Sequence, residues 1–265
     1  MPSMTEHESF SVVKALLAAD SGSGKTGALS TLIDAGLNVR ILDFDNGLPV
    51  LRGFVKDKAK LANVHYVDKL QDQIKLVAGR VGIVKAPAFQ RAMDALDKGG
   101  EEYWGAAIPP LLEWTPRDVL VIDSLTMAGR ASLQMVMQAN GAGLKSPEIQ
   151  HYGTAMENVE KWLQLVLSDV VPCHVIINTH ITGVDGDARL YPDALGSKLP
   201  PKIGKYCNNI LGLRMVAGER KFLTVKDGLL ALKSAMPLPE SIPINPGWAE
   251  IFKLLMGKPI AEIGA

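Results

Sequence analysis

Five short runs of apolar residues alternate with segments of helical periodicity along the first two thirds of the chain. The runs span residues 12–18, 39–44, 63–67, 119–122 and 174–178. Because they are almost continuously apolar, they fit strands covered on both faces better than strands with one solvated face. Strands and helices that alternate in this way predict an α/β fold with a mostly parallel central sheet.

The pattern changes after about residue 208. The stretches "NNILGLRMV", "KFLTVKD" and "LLALKSAM" are short β-type runs joined by tight turns, and they predict an antiparallel extension of the sheet. The last segment is rich in proline and then carries one short amphipathic helix. Residues 79–114 contain one helical stretch, 88–98, and no other pattern that we can interpret.

Composition narrows the function classes. The 265 residues, 47% of them apolar, suffice for one large domain with a buried core. Lys plus Arg and Asp plus Glu both number 28, which argues against a general duplex-coating protein. The two cysteines, Cys173 and Cys207, lack the spacing of a zinc cage or disulfide framework. The polar first residues and the lack of an apolar stretch of ~20 residues predict a cytoplasmic protein with no membrane span.

A loop of small residues, "ADSGSGKTG", follows the first predicted strand. Such a loop lets successive backbone N–H groups converge on an anion, where a helix N-terminus adds partial positive charge. In the P-loop pattern G-x-x-x-x-G-K-[ST], the Lys reaches the β- and γ-phosphates and the hydroxyl ligates Mg²⁺, roles that fall here to Lys25 and Thr26. Ala19 replaces the first Gly, so the backbone there must suit an alanine. The predicted ATP-binding residues are Asp20, Ser21, Gly22, Ser23, Gly24, Lys25, Thr26 and Gly27. The alternative is a Gly/Ser turn that happens to precede a lysine.

An apolar strand in "RDVLVIDSLT" ends at Asp123, at the edge where a parallel sheet binds ligands. A magnesium ion that bridges phosphates needs an oxygen ligand opposite the Thr26 hydroxyl, and the Asp123 carboxylate can supply it. The alternative is an aspartate that caps the following helix.

Two further strand ends carry polar groups. In "ILDFDNG", Asp43 or Asp45 could orient a water for attack on the γ-phosphate, and we prefer Asp45 as the catalytic base. Its competing role is that of an ordinary turn residue. In "INTH", Thr179 and His180 are candidates for sensing the γ-phosphate, although a lone histidine is more often structural.

The order of these motifs resembles the core ATPase of the RecA superfamily, and more closely the short phage-encoded RecA-like ATPases that assist single-strand annealing and recombination. The resemblance covers about residues 12–243 and is carried by "SGSGKT", "LDFDNG", "WTPRDVLVIDSLT" and "INTH". It implies a three-layer α/β RecA-like P-loop NTPase core at 12–243, a flexible tail at 1–11 and a C-terminal helical tail at 244–265. In that superfamily an acidic residue just after the second strand activates water. This supports Asp45, although the family residue is often the longer Glu.

The same resemblance implies two mobile loops that face single-stranded DNA, here residues 137–153 and 182–205. Over residues 189–233 there are nine basic residues against three acidic ones, a local bias suited to phosphate contacts. The candidate DNA contacts are Lys145, Arg189, Lys198, Lys202 and Lys205. The alternative is an ordinary solvated surface, and few aromatic side chains are near for base stacking.

RecA-like ATPases also complete their site with a basic residue from a neighbouring subunit, a role that would fall to Lys233. The resemblance therefore implies a homo-oligomer, either ring or filament, and a single-strand-binding protein as a possible partner. If the chain is phage-encoded, its expected compartment is the host cytoplasm.

Three functions remain open on the sequence. The leading hypothesis is an Mg²⁺-dependent ATPase that acts on single-stranded DNA in recombination, annealing or replication. A P-loop kinase of small molecules or nucleosides would need an Arg-rich lid and an acceptor pocket, and no suitable Arg cluster is apparent. A non-catalytic nucleotide-dependent module, such as a helicase-loading partner, is the third; the guanine-reading N-K-x-D is absent, which disfavours a GTPase.

Overall fold

A computed structural model describes residues 11–67, 69–77, 79–226 and 228–263. The strands are β1 (Lys14–Ala18), β2 (Asn38–Asp43), β3 (Val64–Val67), β4 (Gln73–Val77), β5 (Arg80–Lys85), β6 (Asp118–Asp123), β7 (His174–Thr179), β8 (Ile181–Val184), β9 (Asp187–Pro192), β10 (Asn209–Val216), β11 (Glu219–Leu223) and β12 (Ser241–Pro243). The α-helices are α1 (Lys25–Ala28), α2 (Ser30–Asp34), α3 (Leu51–Phe54), α4 (Ala88–Lys98), α5 (Glu101–Trp104), α6 (Leu125–Ala139), α7 (Ile149–Val166) and α8 (Trp248–Met256). Within these residues, no helix is long and apolar enough to cross a membrane.

The main sheet has eight strands in the order β12-β11-β10-β1-β7-β6-β2-β3. The strands from β10 to β3 pair in parallel, and β11 and β12 add to the edge in antiparallel pairing. The predicted mostly parallel sheet with a C-terminal antiparallel extension is therefore confirmed. Every residue of β6 and β7 is buried, as the unbroken apolar runs indicate.

Two hydrophobic cores cover the two faces of this sheet. Successive residues of β1 point to opposite faces, so Leu16 lies in the core formed with α4, α6 and α7, whereas Leu17 lies in the core formed with α2 and α8. The protein therefore has three layers, with helices on both sides of the sheet.

The C-terminal helix α8 belongs to the second core. Trp248, Ile251 and Phe252 are fully buried, and the Trp248 ring meets the ring of Phe222 on β11 at 5.1 Å between centroids. The proposed division into a core of 12–243 and a tail of 244–265 stays a prediction, and most of the proposed N-terminal tail, residues 1–10, lies outside the described residues.

The strand expected at residues 229–236 is wrong, and the two predicted loops are shorter than expected. Residues 229–236 form isolated bridges instead of a strand, because their backbone bonds are divided between Leu190 of β9 and Ile210 of β10. Of the segment 137–153, residues 140–148 lie outside helices, because α6 ends at Ala139 and α7 begins only at Ile149. The segment 182–205 forms the β8–β9 hairpin and, at 200–205, a 3₁₀ helix.

The segment that the sequence left uninterpreted also has regular structure. Strands β4 and β5 pair as an antiparallel hairpin, and α4 spans the predicted helical stretch. The hairpin packs beside the α6–α7 connection, where the Ile83 N–H donates to the Gly143 carbonyl at 3.2 Å.

The packing of α8 makes its aromatic residues important for stability. We expect Phe252→Ala to lower the free energy of unfolding by about 3–5 kcal/mol, because it removes a large, fully buried ring. Lys253→Ala, which removes an exposed side chain of the same helix, should change it by less than about 1 kcal/mol. Urea unfolding followed by circular dichroism measures both values. Equal stability of the two variants would show that α8 does not pack as described.

Candidate nucleotide-binding site

The predicted site residues meet at the carboxyl edge of the central strands. In the strand register, Asp43 of β2 lies opposite Asp123 of β6, which in turn lies opposite Asn178 of β7. Ala18 at the end of β1 lies opposite Thr179. Parallel pairing thus brings four chain segments, distant in sequence, to one end of the sheet.

The phosphate-binding loop connects β1 to α1. Gly22 and Gly24 have φ values of 74° and 104°, a backbone conformation that side chains with a Cβ disfavour. The Gly24 carbonyl accepts from the Ala28 N–H at 2.9 Å, so Gly24 begins the helix. At Ala19 the N–H donates to the Thr179 carbonyl at 3.1 Å and continues the β1–β7 pairing. Because the backbone at that position continues a strand, it does not require the glycine of the usual pattern.

The Lys25 side chain folds back over this loop and is only 7% exposed. Its Nζ donates to the carbonyls of Ala19 and Asp20, both at 2.9 Å. Burial lowers the pKa of Lys25, and the nearby carboxylates, Asp123 foremost, oppose that change. The ammonium group is therefore held at the mouth of the loop by weak, neutral acceptors that a phosphate could replace.

Thr26 and Asp123 are in direct contact, with the Thr26 hydroxyl donating to Asp123 Oδ2 at 2.6 Å. Asp123 is 1% exposed, and burial raises its pKa, whereas the Thr26 hydroxyl and the Asn178 amide oppose the rise. The Asn178 amide itself makes no hydrogen bond of normal geometry within the described residues. The Thr26 hydroxyl, the Asp123 carboxylate and the Asn178 amide thus form a buried polar centre that a further ligand could complete.

These groups fit a magnesium ion held jointly by protein and substrate. Among the described residues, no group of three or more His, Cys, Asp or Glu side chains could hold a metal. Mg²⁺ commonly needs only one or two protein oxygens, because phosphates and water supply the other ligands. Thr26 and Asp123 would hold it here.

Asp45 lies beside this centre and is oriented by two side chains. The Ser124 hydroxyl donates to Asp45 Oδ1 at 3.0 Å, and His180 Nε2 lies 3.5 Å from Asp45 Oδ2. His180 Nδ1 is also 3.5 Å from Lys25 Nζ, so the ring lies between the ammonium group and the carboxylate. Ser124, and not Asp123, caps helix α6 through the Met127 N–H. Ser124 was not among the residues predicted from the sequence, although its position directly after Asp123 could have indicated it.

The turn after β2 packs closely against Thr26. Asp43 accepts from the Gly47 N–H at 3.1 Å, and a Cβ at Gly47 would lie 3.2 Å from the Thr26 hydroxyl oxygen. This contact between Gly47 and Thr26 joins distant parts of the chain, which is why no local pattern could have indicated it.

Thr179 lies behind the site and does not present a free hydroxyl to it. Its side chain donates to the Asp193 carbonyl, and its oxygen is 3.1 Å from the Thr126 hydroxyl oxygen. Thr126 in turn accepts from the His180 N–H at 3.2 Å. This network ties β7, α6 and the segment after β9 together, so its direct effect is on the placement of His180.

The candidate DNA contacts differ in their surroundings: some are exposed side chains, and others already form ion pairs. Lys145, Lys198 and Lys205 are exposed. Arg189 is paired with Asp187 at 2.8 Å and lies over the Tyr191 ring, and Lys202 is paired with Glu160 at 3.2 Å.

Lys233, the residue predicted to serve a neighbouring subunit, is exposed. It does not join Lys25, Asp45 and Asp123 at the sheet edge of its own chain. Its Nζ donates to the Gly204 carbonyl at 2.6 Å. Its role towards a neighbouring subunit stays a prediction.

The buried Asp43 should make stability depend on pH. Burial raises its pKa from 3.8 to about 6, although the Gly47 N–H opposes the rise. The ionised form therefore destabilises the folded state at pH values above 6, and this penalty disappears as the pH falls from 6 towards 4. Asp43→Asn keeps the acceptor for Gly47 and should raise the free energy of unfolding by roughly 2 kcal/mol at neutral pH, with no gain at acid pH.

Urea titrations across this pH range, without divalent cations, measure that difference. The exposed Asp97→Asn is the matched control and should show no such pH-dependent gain. A constant difference between Asp43→Asn and wild type at all pH values would contradict the raised pKa.

Three comparisons relate the chain to known proteins. The AAA domain family AAA_24 matches residues 11–226. No curated protein matches the chain. A solved structure of the RadB recombinase is similar at 16% identity and a TM-score of 0.41, over 87% of this chain and 84% of that one. An ATPase from the type III secretion system of pathogenic bacteria is similar at 14% identity and a TM-score of 0.42, over 76% of this chain and 52% of that one, so this chain spans about half of its length.

The AAA_24 match spans the phosphate loop, Asp45, Asp123 and His180, and the expected three-layer α/β P-loop NTPase core, with its C-terminal antiparallel extension, is confirmed. The chain therefore belongs to the AAA_24 family of AAA domains, which makes it an AAA-type P-loop ATPase domain.

Proposed function

We propose that the protein is an Mg²⁺-dependent ATPase whose turnover is coupled to single-stranded DNA. One observation carries the catalytic part: Lys25, the Thr26–Asp123 pair and Asp45 converge at one edge of the sheet. An ammonium group, a metal-binding oxygen pair and a candidate base are the groups that phosphoryl transfer to water requires.

Binding of ATP would exchange hydrogen bonds at Lys25. Its Nζ would leave the carbonyls of Ala19 and Asp20 for β- and γ-phosphate oxygens, which are charged and therefore stronger acceptors. Backbone N–H groups of the loop would bind the same oxygens. A magnesium ion at Thr26 and Asp123 would supply neutralisation of the phosphate charge.

Asp45 would then position the attacking water. The water oxygen forms a bond to the γ-phosphorus, a water proton passes to the Asp45 carboxylate, and the bond to the oxygen bridging the β- and γ-phosphates breaks as ADP leaves. The Ser124 hydroxyl fixes one oxygen of this carboxylate. Positioning of this kind is a major part of catalysis in such reactions.

Two features support the coupling to DNA. The exposed Lys145, Lys198 and Lys205 belong to a chain that is neutral overall but locally basic over 189–233. The β8–β9 hairpin begins directly after His180, so a strand bound at the hairpin could move a residue that lies beside both Lys25 and Asp45. The resemblance to RecA-like annealing and recombination proteins adds the expectation of an oligomer, with Lys233 serving the neighbouring subunit.

A second function is favoured by a cavity of about 570 Å³ beside Asp45. Asp72, Arg130 and Gln134 are among the residues that line it. A cavity with charged and amide groups next to the candidate base could bind a phosphate acceptor, as a small-molecule kinase requires. Release of inorganic phosphate from ATP in the absence of any acceptor would favour the ATPase; transfer of the phosphate to an added nucleoside would favour the kinase.

The role of Asp45 can be tested by Asp45→Asn. Because this change removes the base while keeping the acceptor for Ser124, we expect the turnover number to fall by about 10²–10⁴-fold and ATP affinity to change little. Steady-state phosphate release and equilibrium binding of ATP measure the two quantities.

Lys25→Ala should lose ATP binding as well as turnover, since it removes the phosphate ligand, whereas the exposed Asp97→Asn should change neither. Wild-type turnover in both Asp45→Asn and Lys25→Ala would reject the proposed catalytic site.

Coupling to DNA predicts that single strands raise the rate of ATP hydrolysis at low salt. The double substitution Lys198→Ala and Lys205→Ala should weaken this activation and make DNA binding less sensitive to salt, with the log–log slope reduced by about 0.7 for each lysine that neutralises a phosphate in the wild type. Lys253→Ala, an exposed lysine on α8, is the control and should keep the wild-type activation. Hydrolysis that no single strand affects at low ionic strength would reject the DNA part and leave the ATPase intact.

A further inference from the structure

A cavity of about 540 Å³ lies next to the turn after β2, between the edge strand β3 and the segment that leads into α3. Val64 and Tyr66 of β3 line it, and they pair in register with Val39 and Ile41 of β2, which belong to the core formed with α2 and α8. The cavity beside Asp45 lies on the opposite face of the sheet, because several of its lining residues belong to the other core. The two cavities are therefore separate.

The walls of this edge-strand cavity are mostly apolar and are only partly covered. Leu48, Leu61 and Val64 are half-buried and pack against the core of α2 and α8. Tyr66 is 50% exposed. Cavities of about 300–1,000 Å³ with apolar and aromatic walls are typical sites for small organic molecules. An aromatic face that is left in solvent is also a stacking surface for a flat ring. The cavity thus fits an aromatic ring system.

A positive charge at this cavity is open to a ligand. Arg52 lines the cavity and is exposed, and its guanidinium makes no hydrogen bond or ion pair with any described residue. The acidic residue of the lining, Asp43, is only 8% exposed and already accepts from the Gly47 N–H at 3.1 Å. A guanidinium binds carboxylates and related oxyanions through two parallel hydrogen bonds. The open charge therefore favours an anion over a cation as the ligand.

The segment 47–54 separates this cavity from the phosphate loop. On one side its 3₁₀ turn and the start of α3 form part of the cavity wall. On the other side it is in close contact with α1: a Cβ at Gly47 would lie 3.2 Å from the Thr26 hydroxyl oxygen, and a Cβ at Gly27 would lie 3.3 Å from the Phe54 ring. Because packed groups leave little space towards α1, the room into which the segment can move is on the cavity side. A ligand that fills the cavity takes up that room.

We propose that the edge-strand cavity binds a small organic anion with an aromatic ring, and that the bound anion holds the segment 47–54 against the phosphate loop and so strengthens the binding of ATP. The ring lies against Tyr66 and the aliphatic walls, and the carboxylate, sulfonate or phosphate group of the anion pairs with Arg52. The coupling to ATP rests on the proposed function, whereas the anion site does not. By linkage, ATP strengthens the binding of the anion by the same factor.

Equilibrium binding of three probes tests the site: 2-naphthoate, its uncharged analogue 2-naphthamide, and acetate. Wild-type protein should bind one 2-naphthoate per chain, and 2-naphthamide roughly tenfold more weakly, because hydrogen bonds to a charged partner are stronger than those to a neutral one. Acetate carries the charge without the ring, so it should not saturate the protein at concentrations at which 2-naphthoate does.

Two variants separate the charge from the cavity. Arg52→Gln keeps most of the side chain and removes its charge, so it should reduce the affinity for 2-naphthoate to that for 2-naphthamide and leave the latter unchanged. Val64→Phe fills the cavity and should weaken the binding of both aromatic probes. Lys253→Ala removes an exposed cation that is not part of the lining, and it should match wild type. Melting temperatures identify any variant that fails to fold.

A non-hydrolysable ATP analogue with magnesium measures the coupling. Saturating 2-naphthoate should lower the Kd of the analogue about fivefold, at the lower end of typical coupling between two sites. The analogue should lower the Kd of 2-naphthoate by the same factor. In Arg52→Gln without the probe, the Kd of the analogue should equal that of wild type.

The outcomes separate this inference from the function on which its coupling rests. Absence of 2-naphthoate binding to wild-type protein, or wild-type affinity in a folded Arg52→Gln variant, would overturn the anion site and leave the ATPase standing. Displacement of 2-naphthoate by the analogue would place the probe in the nucleotide site and overturn it as well. Binding of 2-naphthoate that leaves the Kd of the analogue unchanged would overturn the coupling. Absence of analogue binding to wild-type protein that still binds 2-naphthoate would reject the proposed function, not the anion site.

Discussion

The hydrogen bond between Thr26 and Asp123 fixes the two halves of the candidate site to each other. Asp123 is a carboxylate buried at the end of a central strand, an arrangement that is costly unless the group is paired. The Thr26 hydroxyl, at 2.6 Å, supplies that pairing from the first turn of α1. The backbone carbonyl of Asp123 accepts from the N–H groups of Phe44 and Asp45, at 2.7 and 3.1 Å. A single residue thus holds the phosphate loop with its side chain and the candidate base with its main chain.

The register of the parallel strands makes this possible. Because β2, β6, β7 and β1 are adjacent and point the same way, each strand end delivers its polar residue to the same edge. Polar residues at that edge can remain near solvent and ligand while the strand behind them stays apolar. The apolar runs and the polar residues that follow them therefore determine most of the fold. This is why the main strands, and the meeting of Lys25, Asp45 and Asp123 at one edge of the sheet, could be predicted from the sequence, while the roles of these residues stay predictions.

The remainder depends on contacts between distant segments. Three close approaches join residues that are distant in sequence, so no local sequence pattern predicts them. They are those of Phe54 to Gly27, of Gly47 to Thr26 and of Arg220 to Gly24. The β4–β5 hairpin was missed for another reason: Ile74, Leu76 and Val81 are exposed, so its apolar residues do not follow a pattern of burial. Arg189 of the hairpin was predicted as a DNA contact, yet its side chain is paired with an aspartate two residues away. Side-chain pairing at that range depends on the hairpin geometry, which a count of charges does not contain.

His180 shows how the phosphate site and the hairpin could influence each other. Its ring is 3.5 Å from both Lys25 Nζ and Asp45 Oδ2, and its N–H is fixed by Thr126, which also contacts Thr179. The Asp193 N–H just beyond β9 donates to the His180 carbonyl at 2.7 Å. Main-chain bonds thus hold His180 to the base of the hairpin, while its side chain remains within reach of the groups that phosphate binding would rearrange. If Lys25 exchanged its carbonyl partners for phosphate, as proposed, the charge beside one nitrogen of the ring would change, and the hairpin is the element attached to the same residue.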